Sequence, residues 1–134
     1  MKDVMLLTGA GQIGMAIARR MGYGKKIIVG DKSIKNAEAI CEIMNNAGFD
    51  AEPFAIDISK RSDIKAIIDK ALSYGELKMF INAAGVSPSR ASIQTILNVD
   101  LYGTAVLLEE VGKVIWQAVR ALLYQVSRVR ECLS

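Results

Sequence analysis

A short glycine-rich stretch near the start of the chain has the spacing of a phosphate-binding turn. The sequence T-G-A-G-Q-I-G places Gly9, Gly11 and Gly14 in a G-x-G-x-x-G pattern directly after an apolar run. In such a turn the first glycine allows a tight bend, the second lets the backbone approach a pyrophosphate, and the third lets the following helix pack on the strand. The N-terminus of that helix then faces the anion. The pattern predicts a dinucleotide site, although a glycine turn that binds nothing has the same spacing.

A carboxylate stands where the ribose of a dinucleotide needs an acceptor. Asp31 ends the second apolar run, about 20 residues after the glycines, where an acidic side chain accepts hydrogen bonds from both adenosine-ribose hydroxyls. The same charge repels a 2′-phosphate, which favours NAD over NADP, while the neighbouring Lys32 softens that preference. The alternative interpretation of Asp31 is a helix N-cap.

Two further apolar runs end in polar or small residues. Asp57 follows the third run in A-I-D-I-S, and the fourth run ends in the sequence I-N-A-A-G, which contains Asn82, Ala83, Ala84 and Gly85. The carboxyl ends of parallel strands are where open α/β sheets bind ligands. Small residues there leave room for a ribose, and we expect Asn82 to bond neighbouring backbone and keep the floor of the site rigid.

Four apolar runs and the amphipathic stretches between them must position these residues. The predicted strands are 3–8, 26–31, 51–57 and 77–85, and the predicted helices are 11–21, 33–47 and 59–73. Continuous apolarity is typical of parallel strands covered on both faces. We therefore expect an α/β fold, a Rossmann-like doubly wound parallel sheet of strand order 3-2-1-4 that is incomplete on its C-terminal side.

Local signals refine the ends of these elements. Ser59 is the predicted N-cap of the third helix, and Gly48 and Gly75 stand at C-cap-like positions of the second and third helices. Pro53 lies near the predicted start of the third strand, where a missing N–H is tolerated.

Composition narrows the classes of function. The chain has 134 residues, of which 51% are hydrophobic and 23% charged, as expected of one globular domain. The net charge of +3 comes without a nucleic-acid recognition motif, and no apolar run approaches the length of a membrane span. The absence of histidine removes the commonest general base and metal ligand, so we expect no metal site. Cys41 and Cys132 show no paired spacing, which suits a reducing cytoplasm.

The motifs taken together resemble the short-chain dehydrogenase/reductase family over residues 1–115. They are T-G…G at 8–14, Asp31, Asp57 with Ile58, and N-A-A-G at 82–85. The resemblance implies the NAD(P)(H)-binding half of an alcohol or carbonyl oxidoreductase. By that resemblance the groups that meet the cofactor are Gly9, Gln12 and Ile13 for the pyrophosphate, Asp31 for the adenosine ribose, Asp57 and Ile58 for the adenine, and Asn82, Ala83 and Gly85 for the nicotinamide-side ribose.

The sequence departs from the family pattern in the catalytic elements. The glycine loop is shorter than the family's T-G-x-x-x-G-x-G, and Asp100 stands where the family has the Asn of N-x-x-G, with Asn98 two residues out of register. An Asp at that place can hold a water as Asn does. The family's Ser, Tyr and Lys would follow the helix that ends near residue 115. Tyr124 and Arg128 have the Y-x-x-x-K spacing with Arg for Lys, but they follow N-A-A-G too closely, and Arg does not replace a tuned Lys.

The last residues, 116–134, form a basic and apolar segment outside the family pattern. As a helix this segment would pack on the sheet or pair with another copy in a homo-oligomer. In a shifted reading frame its permitted codons also encode A-S-G-S-G-V-I-I-S-S, the turn, strand and serine that the family has at this place. We hypothesise a frameshift near codon 116, and sequencing the gene tests it: codons that cannot encode the alternative contradict the hypothesis.

Three functions therefore stand open. The first is the NAD-binding portion of a short-chain oxidoreductase, lacking the catalytic set and turning over little or nothing. Its partners would be a nicotinamide dinucleotide and, in a full-length parent, a small alcohol or carbonyl compound. The second is a non-enzymatic nucleotide-sensing domain. The third is an unstable fragment, because the fourth strand has no fifth strand beside it.

Overall fold

A parallel sheet of four strands forms the centre of the part of the chain that the computed structural model describes, residues 2–83 and 102–114. The strands are β1 (Lys2–Thr8), β2 (Lys26–Asp31), β3 (Asp50–Ala55) and β4 (Gly75–Asn82). They lie in the order β3-β2-β1-β4, and each neighbouring pair is parallel. The predicted fold class and strand order are therefore confirmed.

Helices cover both faces of the sheet. They are α1 (Gln12–Met21), α2 (Ile34–Asn46), α3 (Arg61–Leu72) and α4 (Thr104–Gly112). Successive residues of β1 alternate between the two layers: Met5 and Leu7 pack with α1 and α2, whereas Val4 and Leu6 pack with α3 and α4. Residues 4–7 of β1 are fully buried on both faces of the sheet, which explains the continuous apolar run. No helix within these described segments is long and apolar enough to cross a membrane.

The predicted ends of several elements are wrong by a few residues. β3 ends at Ala55 and β4 at Asn82, so Ile56, Asp57 and Ala83 lie outside the strands, at the sheet edge. The N-cap of α3 is Lys60 and not Ser59. The Ser59 hydroxyl donates to Asp57 Oδ1 at 2.6 Å, and that bond holds Ser59 in the loop before the helix.

Two residues that break regular structure differ from their predicted roles. Gly75 is the first residue of β4 and not the cap of a helix; a Cβ there would overlap the carbonyl oxygen of Lys2, so glycine is what lets β4 approach β1. Pro53 is the fourth of six residues in β3 and not near its start. It is tolerated because β3 is an edge of the described sheet, where one strand side makes no ladder bonds.

An ion pair joins α3 to α4 on one face of the sheet. Arg61 Nη1 lies 2.5 Å from Glu110 Oε1, and Lys113 Nζ lies 3.1 Å from the same oxygen. The Glu110 side chain is 8% exposed, so its charge is compensated where it is buried. The hydrogen bond from Lys113, followed by the one from Arg61, holds the pKa of Glu110 below its ordinary value.

A charged network lies at the amino ends of the strands; we call it the amino-end network, and it comprises Lys2, Lys26, Asp50, Glu52 and Tyr74. Lys26 Nζ lies 3.0 Å from Asp50 and 3.5 Å from Glu52, and 4.6 Å from the centre of the Tyr74 ring. Lys2 pairs with Asp50 at 2.9 Å, and the Tyr74 hydroxyl donates to Glu52. Hydrogen bonds from Lys2 and Lys26 lower the pKa of Asp50, and the one from Tyr74 lowers the pKa of Glu52.

Lys26→Met should lower the free energy of unfolding by about 2 kcal/mol at neutral pH, because two carboxylates lose a charged donor. The Lys26 side chain is only 15% exposed. Both carboxylates have lowered pKa values in the folded state. The ionised carboxylates of Asp50 and Glu52 therefore stabilise the folded state fully above the ordinary carboxyl pKa. This stabilisation is lost as the pH falls through their lowered pKa values in the folded state. The difference between wild type and variant, measured by urea denaturation, should narrow in acid.

The matched control is Lys2→Met, which removes a cation from the same Asp50. The Lys2 side chain is 61% exposed, so its loss should lower the free energy of unfolding by about 0.5 kcal/mol or less. Equal decreases in the free energy of unfolding for Lys26→Met and Lys2→Met would show that Lys26 stabilises the network no more than Lys2 does.

Candidate functional site

The carboxyl edge of the sheet brings the predicted site residues together. Thr8 pairs in register with Gly30 on one side and Asn82 on the other, so β1, β2 and β4 end at the same level. The residues that the structure places at this edge are Gly9, Gly11, Gln12, Ile13, Gly14, Asp31, Lys32, Asp57, Ile58, Asn82 and Ala83. Ala84, Gly85, Asp100 and the segment 116–134, with Tyr124 and Arg128, lie outside the described residues.

The three glycines of the loop differ in what surrounds them. Gly9 has a φ of 99°, and its N–H donates to the Gly30 carbonyl at 2.7 Å, which fixes the tight bend. A Cβ on Gly14 would lie 3.0 Å from Ala83 Cβ and 3.0 Å from the Gly9 carbonyl oxygen, so α1 packs closely on the sheet there. A Cβ on Gly11 would meet no described atom within 4 Å. The packing roles predicted for the first and third glycines are confirmed, and the second glycine borders open space.

The first turn of α1 offers backbone donors to that open space. Gly11 is the N-cap of α1 and, having no side chain, gives no cap hydrogen bond to the N–H groups of the first turn. The early N–H groups of a helix have no acceptor within the helix, and they point along its axis. This helix end therefore presents donors and a positive dipole to whatever lies beside Gly11.

Asp31 joins the glycine loop to the start of α2. Its Oδ1 accepts the Ala10 N–H at 3.1 Å, and its Oδ2 accepts the Ser33 N–H at 3.0 Å. The N-cap of α2 is Ser33, whose hydroxyl oxygen accepts the Asn36 N–H at 3.3 Å. The alternative interpretation of Asp31 as the N-cap is therefore wrong. The Lys32 side chain beside it is exposed.

Asp57 is held in one orientation beside this site. Its Oδ1 accepts the Ser59 hydroxyl at 2.6 Å and the Ser59 N–H at 3.0 Å. The hydroxyl bond, followed by the backbone bond and the charges of Lys32 and Lys60, holds the pKa of Asp57 below its ordinary value. The next residue, Ile58, is only 7% exposed and belongs to the core. Asp57 thus presents an ionised carboxylate at this edge, and the Ile58 side chain packs into the core.

A buried polar chain supports the floor of the site. The Thr8 hydroxyl donates to Asn82 Oδ1 at 2.8 Å, and Asn82 Nδ2 donates to Thr104 Oγ1 at 3.5 Å. Thr8 and Asn82 are both fully buried. Hydroxyls of β1 and α4 are thus among the partners of the Asn82 side chain, and the expected bond from this side chain to neighbouring backbone stays a prediction. Thr104 was missed, because no local pattern links residues of β4 and α4.

The sequence analysis also passed over a Tyr-x-x-x-Lys spacing, Tyr74 with Lys78. Tyr74 precedes β4 and Asn82 ends it, so the tyrosine lies about 26 Å from the site at 3.3 Å per residue. Its hydroxyl donates to Glu52, and Lys78 pairs with Glu76 at 3.2 Å. Tyr74 therefore belongs to the amino-end network, and neither residue of this pair belongs to the site.

Comparisons of the sequence with a family profile and with a known protein point to the same family. The sequence profile of the short chain dehydrogenase family matches residues 3–121. The short-chain dehydrogenase/reductase bsc3 of Alternaria brassicicola is 35% identical over 114 residues, which are 85% of this chain and 42% of that protein. The chain therefore spans less than half the length of this relative.

Solved structures share the fold. A short-chain dehydrogenase/reductase from Burkholderia phymatum in complex with NAD has a TM-score of 0.78 at 21% identity, over 91% of this chain and 48% of that chain. Actinorhodin polyketide ketoreductase with NADPH has a TM-score of 0.75 at 24% identity, over 84% and 47% of the two chains. At these identities the likeness concerns the fold alone.

Thr8→Val should lower the free energy of unfolding by about 2 kcal/mol, because it removes the buried donor to Asn82. Urea denaturation followed by circular dichroism measures the loss. Thr8→Ser keeps the hydroxyl and removes one buried methyl group, which costs about 1 kcal/mol. A loss for Thr8→Ser as large as that for Thr8→Val would show that the hydrogen bond is unimportant.

Proposed function

Because the chain belongs to the short-chain dehydrogenase family, a family of oxidoreductases, we propose that the carboxyl edge of its sheet binds NAD(H). One observation carries the proposal: the open space beside Gly11 lies at the N-terminus of α1, and Asp31 stands at the other side of the same loop. A pyrophosphate needs backbone donors, and the adjoining ribose needs acceptors. This edge supplies both at neighbouring positions.

The residues that would hold the pyrophosphate are Gly9, Gln12 and Ile13, with Gly11 leaving room for the approach. Asp31 would accept from the adenosine-ribose hydroxyls. A carboxylate has roughly four acceptor sites, so the two N–H groups that it already accepts leave capacity for both hydroxyls. Its charge disfavours the 2′-phosphate of NADP, and the exposed Lys32 moderates that effect.

The remaining contacts follow from the family resemblance. Asp57 and Ile58 would meet the adenine, Asp57 through the edge of its carboxylate. Asn82 and Ala83 would meet the nicotinamide-side ribose, together with Ala84 and Gly85 beyond the described residues. Thr8 does not touch the cofactor in this proposal but fixes the Asn82 side chain.

The whole-protein activity that we propose is hydride transfer between NAD(H) and an alcohol or carbonyl compound. When bound, the cofactor would donate the hydride to a carbonyl compound in its reduced form, or accept it from an alcohol in its oxidised form. By the family resemblance, Asp100 would hold a water at the relay position. In this sequence the Tyr124–Arg128 pair lacks the lysine, and the Tyr74–Lys78 pair lies at the opposite edge. We propose that the 134-residue chain binds NADH without oxidising or reducing such substrates.

Gly11→Ala tests the proposed site. No described atom lies near the new Cβ, and the backbone of Gly11 is extended at φ −98°. The free energy of unfolding should change by less than about 1 kcal/mol, the range for an altered N-cap. The affinity for NADH, measured from the rise in its own fluorescence, should fall about tenfold or more, which is 1.4 kcal/mol or more of binding energy.

Gly14→Ala provides the contrast. Its Cβ would press on Ala83 and the Gly9 carbonyl, so both stability and NADH affinity should fall, stability by about 1–3 kcal/mol. Absence of saturable NADH binding by folded wild-type chain, or equal affinity for wild type and Gly11→Ala, would refute the proposed site.

A further inference from the structure

We propose that Asp31 is a positioning residue, which holds the glycine loop in its binding geometry before any dinucleotide arrives. This inference rests on the proposed function and adds a second role for the same carboxylate. The ribose contact concerns only ligands that carry an adenosine. The positioning role concerns any ligand that binds the loop.

The hydrogen bonds of Asp31 reach two separate segments. Ala10, between the first two glycines of the loop, donates its N–H to Oδ1 at 3.1 Å, and the two residues are 21 positions apart. Ser33, the N-cap of α2, donates its N–H to Oδ2 at 3.0 Å. One carboxylate at the end of β2 therefore ties the loop after β1 to the helix after β2.

The loop has few other means of staying in place. Gly9 and Gly11 have no side chains and lose more conformational freedom on ordering than any other residue type. The Gly9 N–H bond to Gly30 fixes the start of the loop, and the packing of Gly14 fixes its end. Between these points the Ala10 side chain packs against the core, and the Ala10 N–H makes the charge-assisted bond to Asp31; bonds of this kind are about twice as strong as neutral ones.

The binding of a ligand without a ribose tests the positioning role of Asp31 separately from its ribose contact. Loss of the Asp31 charge and loss of its restraint on the loop should change the affinity for such a ligand in opposite directions. Removing a negative charge close to the loop should by electrostatics alone tighten the binding of inorganic pyrophosphate. Removing the restraint on Ala10 should weaken it, because the loop must then be ordered on binding. The inference predicts weaker binding of pyrophosphate when Asp31 is replaced.

The experiment measures amide hydrogen exchange at Ala10 and Ser33 without nucleotide, and pyrophosphate binding by NMR titration. In Asp31→Ala, exchange at both amides should accelerate about tenfold or more, the effect of losing a hydrogen bond to a charged group. Pyrophosphate binding should weaken about threefold or more. Asp31→Asn keeps one acceptor oxygen, so one of the two amides should stay protected.

Glu38→Gln is the matched control. Glu38 lies on the exposed side of α2, so the variant removes the same charge without touching the loop. Its Ala10 exchange and pyrophosphate affinity should equal those of wild type. If Asp31→Ala does not fold, Asp31→Asn tests the same link: its pyrophosphate binding should weaken if the Ala10 amide loses protection and tighten if that amide keeps it, and the opposite pairing would overturn the positioning role.

Unchanged Ala10 exchange in Asp31→Ala, or pyrophosphate binding that tightens in it, would overturn the positioning role. The proposed function has a separate measurement, the NADH titration of wild type. If the wild type binds no NADH but Ala10 exchange accelerates in Asp31→Ala, the proposed cofactor is refuted and the positioning role is supported. A wild type that binds NADH, with Ala10 exchange unchanged in Asp31→Ala, would support the proposed cofactor and refute the positioning role.

Discussion

The site depends on the hydrogen bond between Thr8 and Asn82, which joins the ends of two neighbouring strands in a fully buried place. A buried hydroxyl or amide without a partner costs about 1–3 kcal/mol, so the two side chains constrain one another. Thr8 directly precedes the glycine loop, and Asn82 directly precedes Ala83, on which Gly14 packs. Together with the backbone bond from the Ala83 N–H to the Thr8 carbonyl at 2.7 Å, this bond fixes the start of the loop relative to the end of β4.

The arrangement of the sheet was predictable because burial on both faces constrains the composition of a strand. Residues 4–7 of β1 alternate between two helical layers, so each of them must be apolar, and the run is visible without a structure. The glycine pattern was readable for a similar reason. A positive φ at Gly9 and close packing at Gly14 restrict the residue type at those two positions.

Side-chain partners were less predictable, and the repeated pattern Asp-x-Ser shows why. Asp31 and Asp57 each accept the N–H of the serine two residues later. Ser33 then caps α2, whereas Ser59 turns its hydroxyl back to Asp57 and leaves the start of α3 to Lys60. The same local sequence permits both outcomes, because side-chain bonds to nearby groups compete with capping. Contacts between distant segments, such as Asp31 with Ala10, depend on strand register as well.

Pro53 in the middle of β3 has a consequence for how this sheet can be extended. An added strand needs an unbroken row of backbone donors and acceptors, and a proline interrupts that row. The other outer strand of the described sheet, β4, contains no proline along its eight residues. Addition of a strand is therefore favoured beside β4 over β3, and a strand added there would lie next to the carboxyl end that carries Asn82.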